Sequence, residues 1–310
     1  MTPEVIGLGA MNLDRLLRVS TILQEGEAPV EEMYVGPGGS AANTIYALAR
    51  LGISTGFIGA VGDDGEGREL VSALSKAGVD VSPIAIKPGS PTGTILGLVD
   101  NRGRRTLYPY PGANALLARE DIDIDYVNQA SYLHLSSFVQ EEQLRLQLEI
   151  VKGLSPPVRL SLAPGALYAR QGLEALQPLL KRSHILFLNR SEMEELTGKD
   201  YRAGARQLAA LGCPLVVVTL GGEGKGVAHI QQGEREYLIE ARSRPRVVDS
   251  TGAGDAFAAG FLFGLLQGEP LVTSARYGEV MATFCLAKMG ARPGLPTRPQ
   301  LLSRFRRLKP

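Results

Sequence analysis

The sequence predicts an α/β fold, a doubly wound and mostly parallel sheet covered by helices on both faces. Two observations predict it. Short apolar runs alternate with longer amphipathic segments along most of the chain, and several runs are apolar on both faces, as a doubly covered sheet requires. The runs are VIGLGA (5–10), GFIGAV (56–61), YLHLS (132–136), RLSLA (159–163), HILFLN (184–189) and LVVVTLG (215–221). Between them, SAANTIYALARLG, EGRELVSALSKAG, EEQLRLQLEIVKG and YRAGARQLAALG carry apolar residues at helical spacing and close on glycine, which readily ends a helix. Strands joined through helices become parallel neighbours in one sheet.

Two stretches break the alternation. Residues 15–35 and 92–110 hold strand-like pieces, among them TGTILGLVD and RRTLYPY joined by the turn NRG, with no helix between them. A small β-layer added to the main sheet accounts for both, because two strands alone need a surface to pack on. The predicted lid spans about 13–36 and 92–111 of a single domain covering 1–310. No low-complexity linker and no internal repeat interrupts it.

Composition narrows the function. Hydrophobic residues make up 44% and charged residues 21%, the balance of a globular protein. A net charge of +1 supplies no field for nucleic acid or an acidic membrane, and the basic RFRRLK near the end reads as the solvated face of a last helix. Two cysteines, Cys213 and Cys285, offer neither a disulfide framework nor zinc spacing; they read as buried thiols in a reducing cytoplasm. The start MTPEVIGLGAMNLD lacks the basic and long apolar parts of a signal peptide, and AFAAGFLFGLL is shorter than the ~20 residues a bilayer span needs. A cytoplasmic location is the expectation.

Two glycine motifs fail as phosphate loops. GLGAMN (7–12) follows the first strand, but Asn12 stands where a dinucleotide fingerprint has its third glycine. GGEGKG (221–226) has Thr219 five positions before the GK pair and Gly226 after it, where a P-loop needs glycine and then Ser or Thr. DSTGAGDAF differs in kind. Gly252, Ala253 and Gly254 let a ligand oxygen approach the backbone amides, and the helix that follows offers free N–H groups and the positive end of its dipole. Such a turn suits the charge on a transferring phosphoryl group. The plain alternative is that Asp255 only caps its helix. PGGSAAN (37–43) repeats the device: Gly38 and Gly39 permit close approach and Asn43 offers donor and acceptor to a polyol, unless this is an ordinary turn with Ser40 as cap.

These residues resemble the ribokinase family of carbohydrate kinases, the PfkB-type sugar and nucleoside kinases. GGSAANTIYALARLG is similar to that family's first signature and DSTGAGDAFAAGF to its second. GFIGAVGDDGEG, PGAN (111–114), NRSEMEELTG (189–198) and VVVTLGGEG (216–224) follow in the family's order, so the resemblance spans essentially the whole chain. It implies a ribokinase-like three-layer α/β/α core with a β-sheet lid, and ATP-dependent phosphorylation of a hydroxymethyl group. It implies Asp255 as the base, kept ionised by its helix end, with Gly252, Ala253 and Gly254 as the anion hole. Asn12, Asp14, Gly38, Gly39 and Asn43 match substrate-binding positions. Asn189 and Glu192 match the N-x-x-E element that organises Mg²⁺ and the ATP phosphates, Glu192 through water, although NRSE alone reads as a helix cap. Thr219, Gly221 and Gly224 match the nucleotide-binding turn. Asp249, Thr251 and the MGARPG loop match the neighbourhood of an activating K⁺, with a structural role as the other reading of Asp249.

Three positions depart from the family's pattern: Ala163 where an acidic residue is frequent, Glu279 near the adenine end, and Ser40 where ribokinases proper tend to have lysine. The acceptor is therefore expected to be a small sugar, with a nucleoside of the adenosine type as the alternative. A non-catalytic regulator on the same fold is a remote third, disfavoured because Asp255 is present. A phosphorylated sugar is a further option through Arg102, Arg104 and Arg105, which otherwise read as strand-edge arginines facing solvent. A homodimer through the lid is the expected assembly.

Overall fold

The computed structural model describes residues 2–101, 105–221, 226–242 and 246–308. Its strands are β1 (Val5–Leu8), β2 (Asn12–Val19), β3 (Val30–Gly38), β4 (Thr55–Gly62), β5 (Ile84–Lys87), β6 (Gly93–Asp100), β7 (Arg105–Tyr110), β8 (Tyr132–Ser136), β9 (Arg159–Ala163), β10 (Ser183–Asn189), β11 (Leu215–Thr219), β12 (Gly226–Gln232) and β13 (Arg235–Glu240). Nine of them form one sheet in the order β13-β12-β11-β10-β9-β8-β1-β4-β5. The run from β5 to β11 is parallel, and the hairpin β12–β13 closes one edge antiparallel. The six apolar runs read from sequence all lie in this sheet. The edge strands β5 and β13 carried no comparable signal, because edge strands mix exposed and buried residues, and β12 beside β13 carries a histidine and two glutamines among its apolar residues.

Alternation within a single strand explains why these runs are apolar throughout. Val5 of β1 joins one buried cluster while Ile6 and Leu8 join the other. Val217 of β11 likewise faces opposite to Val216 and Val218. The first cluster is filled by helices Ser40–Arg50, Ala253–Leu266 and Leu271–Leu286; the second by Glu141–Lys152, Gly172–Arg182, Arg190–Thr197 and Tyr201–Ala210. Successive side chains thus enter opposite layers and both layers must be apolar. Cys213 and Cys285 are free and buried, one in each layer.

The small sheet is built as β3-β2-β6-β7 from residues close to the two predicted stretches. Its register sorts side chains between two faces. Asp14, Leu16, Val99 and Arg105 share the face turned toward the main sheet, while Met33, Val35, Leu96 and Tyr108 share the other. Leu16 is buried at 2% exposure and Met33 stands out at 62%, so the first face is closed off around Leu16 and Val99 while the other is a solvent-facing apolar row. Its root is tied to the core at two places. Asn114 takes the Met11 amide on its Oδ1 (2.9 Å) and donates to the Met11 carbonyl (2.9 Å) and to Asn12 Oδ1 (3.0 Å). Asp64 accepts from the Thr92 amide (2.7 Å) and hydroxyl (2.6 Å).

The apolar segment after Asp255 packs as a core helix, and no helix among the described residues is long and apolar enough to cross a membrane. Its glycines serve close helix contact. A Cβ on Gly260 would stand 2.6 Å from the carbonyl oxygen of Tyr277 in the neighbouring helix. Gly260→Ala therefore has to push two backbones apart, and it is expected to cost about 1–3 kcal/mol in equilibrium urea unfolding. An unchanged urea midpoint would show that the two helices can separate without loss.

Candidate active site

The site lies where β1 runs into the small sheet and β3 returns to the helix Ser40–Arg50. Gly39 makes that return at φ 94°, and a Cβ there would meet the Ala10 carbonyl oxygen at 2.1 Å, so the turn is possible only with glycine. The turn brings the first signature against the second. Ser40 donates to Asp255 Oδ1 (2.7 Å) and Asn43 Nδ2 donates to Asp255 Oδ2 (2.9 Å). Ser40 is thus no cap: the cap position is Gly39, and the hydroxyl crosses to the other motif.

Asp255 is not a cap either. Its helix begins at Ala253 with Gly252 at the cap position and no side-chain capping bond. Gly252 holds φ 76°, and a Cβ there would collide with Ala291. The Ala253 amide is drawn back to the Ser250 carbonyl (3.3 Å), whereas the amides of Gly254 and Asp255 have no partner among the described residues. A Cβ on Gly254 would meet nothing within 4 Å, so an anion has clear access there.

Burial works against the helix end at Asp255. Burial pushes the Asp255 carboxyl above the usual aspartate range, despite its helix end. The hydrogen bonds from Asn43 and Ser40 and the charges of Arg105 and Arg292 hold it down only in part. Asp14, 4% exposed, is pushed up to about 7 by burial, against the pull of Arg292 and with the repulsion of Asp255. Its Oδ1 is buried without a hydrogen-bond partner among the described residues. Gly38 is packed against this carboxyl so closely that any side chain there would collide with it.

The other predicted residues are spread over the root of the small sheet, the helix Ser40–Arg50 and the ends of β10 and β11. Asn12 sits at the root of the small sheet, paired with Gly38 and Gly93, its Oδ1 occupied by Asn114. Asn43, expected to meet substrate hydroxyls, instead bridges Asp255 and the Nε of Arg292 (2.8 Å). Asn189 and Glu192 form a reciprocal capping box, Asn189 Oδ1 to the Glu192 amide and Glu192 Oε2 to the Asn189 amide, each 2.9 Å. Burial raises the Glu192 carboxyl, and the Asp255 charge adds to that rise, so the capping glutamate also senses the site. Thr219 ends β11 beside Asn189, and Gly221 turns at φ 66° just beyond. Gly224, Arg102 and Arg104 lie outside the described residues.

Asp249 is buried and accepts three bonds, from the Thr251 amide (2.9 Å) and hydroxyl (2.8 Å) and from the Gly290 amide (2.8 Å). It ties the second signature to the MGARPG loop. Thr251 gives its hydroxyl proton to Asp249, which holds the two side chains together, and Glu192 lies half-buried in the field of Asp255.

Arg105 is exposed, as read from the sequence, but it lies on the face of the small sheet that carries Asp14, and its Nη1 reaches the Thr251 hydroxyl at 3.4 Å. Glu279 is buried in a structural pair, accepting from the Arg242 amide (2.7 Å) and from Arg276 (2.8 Å). Arg292 was missed as a site residue. Its signal was a single arginine inside an otherwise small and apolar loop, and only the fold puts it beside Asn43. Ala163 ends β9 in register with Ser136, whose hydroxyl accepts from the Ala41 amide (3.1 Å).

A model of the pfkB family of carbohydrate kinases matches residues 3–298. A protein named as an uncharacterized sugar kinase from Archaeoglobus fulgidus is 39% identical over 252 residues, covering 80% of this chain and 98% of that protein. A nucleoside kinase from Methanothermobacter thermautotrophicus is 29% identical, covering 86% of this chain and 84% of its own length. The structure of Arabidopsis thaliana ribokinase complexed with ribose and ATP superposes with a TM-score of 0.84 at 25% identity, covering 98% of this chain and 99% of that one. With a ribokinase-like main sheet, a separate small sheet and a family match over nearly its whole length, the chain belongs to the pfkB family of carbohydrate kinases and is a sugar or nucleoside kinase, a phosphotransferase with an alcohol group as acceptor.

Proposed function

We propose that the chain transfers the γ-phosphoryl group of ATP to the hydroxymethyl group of a small sugar, with Asp255 as general base. The observation that carries this reading is the convergence of Ser40 and Asn43 on the two oxygens of Asp255, at a helix start whose next amides are unpartnered. A carboxylate oriented from outside its own helix is available to the acceptor rather than committed to capping. In the proposed step the acceptor hydroxyl oxygen bonds to the γ-phosphorus as its proton passes to Asp255, and the bond from that phosphorus to the bridging oxygen breaks to release ADP. The amides of Gly254 and Asp255 receive the charge on the transferring group, and Gly252 and Ala253 shape the turn that presents them.

Asp14, with its buried and unpartnered Oδ1, is assigned to acceptor hydroxyls, together with Asn12 and the Gly38–Gly39 turn. Asn189 and Glu192 would hold Mg²⁺ through its water shell, and the ion would neutralise the phosphate charge. Thr219 and Gly221 are assigned to the nucleotide. Arg105, close to Thr251 beside the anion turn, is assigned to the phosphates of ATP rather than to a phosphate on the sugar. A nucleoside acceptor is the second reading, favoured by the similarity to a nucleoside kinase.

Turnover of a panel of pentoses, hexoses and nucleosides, followed by ADP release, is expected to show a sugar as the best acceptor. A clear preference for adenosine would install the second reading. Asp255→Asn is expected to lower kcat by at least ~100-fold while a fluorescent ATP analogue still binds, since base catalysis is worth about 10²–10⁴-fold. Turnover within about threefold of the parent would remove Asp255 from that role.

The pH dependence follows from the two raised carboxyls. Asp14 and Asp255 must be ionised to accept protons from hydroxyls, and both hold their protons to higher pH than an exposed aspartate. Because they repel each other, the limb belongs to the pair. kcat/KM is therefore expected to fall as pH drops below about 7, where Asp14 takes up its proton. A profile flat between about pH 5 and about pH 8 would contradict it.

A further inference from the structure

Arg292 is the most buried cation of the site, 5% exposed, and nothing in the reaction above uses it. Its Nε donates to Asn43 Oδ1 (2.8 Å), its Nη2 donates to the Gly38 carbonyl (3.1 Å), and its guanidinium lies 5.1 Å from the centre of the Tyr46 ring. A guanidinium carries donors only, so the bond to Nε fixes which end of the Asn43 amide is oxygen. The nitrogen is then left facing Asp255, and it donates to Oδ2 at 2.9 Å. Had the amide been reversed, an acceptor would oppose the carboxylate and a donor would oppose the guanidinium.

We propose that Arg292 is a positioning residue for phosphoryl transfer, orienting the Asp255 carboxylate through the Asn43 amide while its second bond locks the Gly38 turn beneath Asp14. The inference rests on Asp255 being the base. It joins the loop after the helix Leu271–Leu286 to a distant stretch of chain, the end of the small sheet at Gly38 and the helix Ser40–Arg50 that follows it. One side chain thereby sets the angle of the base and the position of the turn against which the acceptor is held. Arg292 lowers the Asp255 carboxyl, as does Arg105 from β7; Asp14 of β2, Glu192 beyond β10 and Cys285 of the helix Leu271–Leu286 lie in the field of Asp255, and Tyr34 of β3 lies in that of Arg292.

The test uses the full chain, the best acceptor of the panel, and ¹³C NMR of the Asp255 carboxyl assigned by difference from Asp255→Asn. Arg292→Met is expected to lower kcat on the order of 100-fold, as misplacement of a reacting group does, with the KM for ATP nearly unchanged. The Asp255 carboxyl should also titrate at higher pH, because a cation that lowers it has gone. Arg292→Lys keeps the charge but cannot serve both Asn43 and Gly38, so the titration should stay near that of the parent while kcat still falls. Parental kcat and titration in Arg292→Met would overturn the proposal, as would a loss confined to KM.

If the methionine variant does not fold, the cycle of Arg292→Lys with Asn43→Ala carries the test. Losses in kcat that fail to add are expected from one connected chain of bonds, and additive losses would overturn it. The two readings fail separately. An active Asp255→Asn removes the base assignment whatever Arg292 does, whereas an inactive Asp255→Asn beside a parental Arg292→Met removes only the positioning role.

Discussion

The arrangement depends on one interaction, the grip of Ser40 and Asn43 on the carboxylate of Asp255. A carboxylate at the third residue of a helix would ordinarily stay near its own amides, which are good anion donors. Two donors from another helix hold its oxygens instead, and the amides of Gly254 and Asp255 remain without partners. The same end of one helix can therefore present an acceptor for a proton and donors for an anion. The helices bearing the two signatures lie in the same layer and share one buried cluster, so they cannot shift independently.

That geometry has an electrostatic cost. Asp14 and Glu192 each stand in the field of Asp255 in a partly desolvated cleft, and burial raises all three carboxyls. Arg292 from the core side and Arg105 from the small sheet supply the opposing charge. The small sheet is thus an electrostatic part of the site. Its inward face carries both a carboxylate, Asp14, and a cation, Arg105, on strands that are held to the core by Asn114 and Asp64. Where the sheet stands relative to the core changes the charge around the base.

Helix capping and helix packing account for features that resemble function in the sequence. The N-x-x-E element is a reciprocal capping box, as its spacing alone suggests, and that local role leaves Glu192 close enough to respond to Asp255. The small-residue run after Asp255 reflects close contact with the neighbouring helix, where Gly260 meets the Tyr277 backbone. Glu279, the departure read near the nucleotide end, pairs with Arg276 of its own helix and accepts from the Arg242 amide, which fastens the segment after β13 to the helix Leu271–Leu286.

What the sequence by itself determined is the layered α/β core, the small added sheet and the position of both glycine turns. Each of these follows from local pattern: strands apolar on both faces, amphipathic spacing, and glycines where φ is positive or a backbone approaches closely. The side-chain partnerships belong to the tertiary structure. Ser40 and Asp255 are 215 positions apart and Asn43 and Arg292 are 249 apart, so no local pattern encodes either bond. Arg105 shows the same limit at shorter range. An arginine near a strand edge reads as solvated, and Arg105 is exposed, but only the register with Val99 places it on the face of Asp14; a shift of one residue would have put it on the other face.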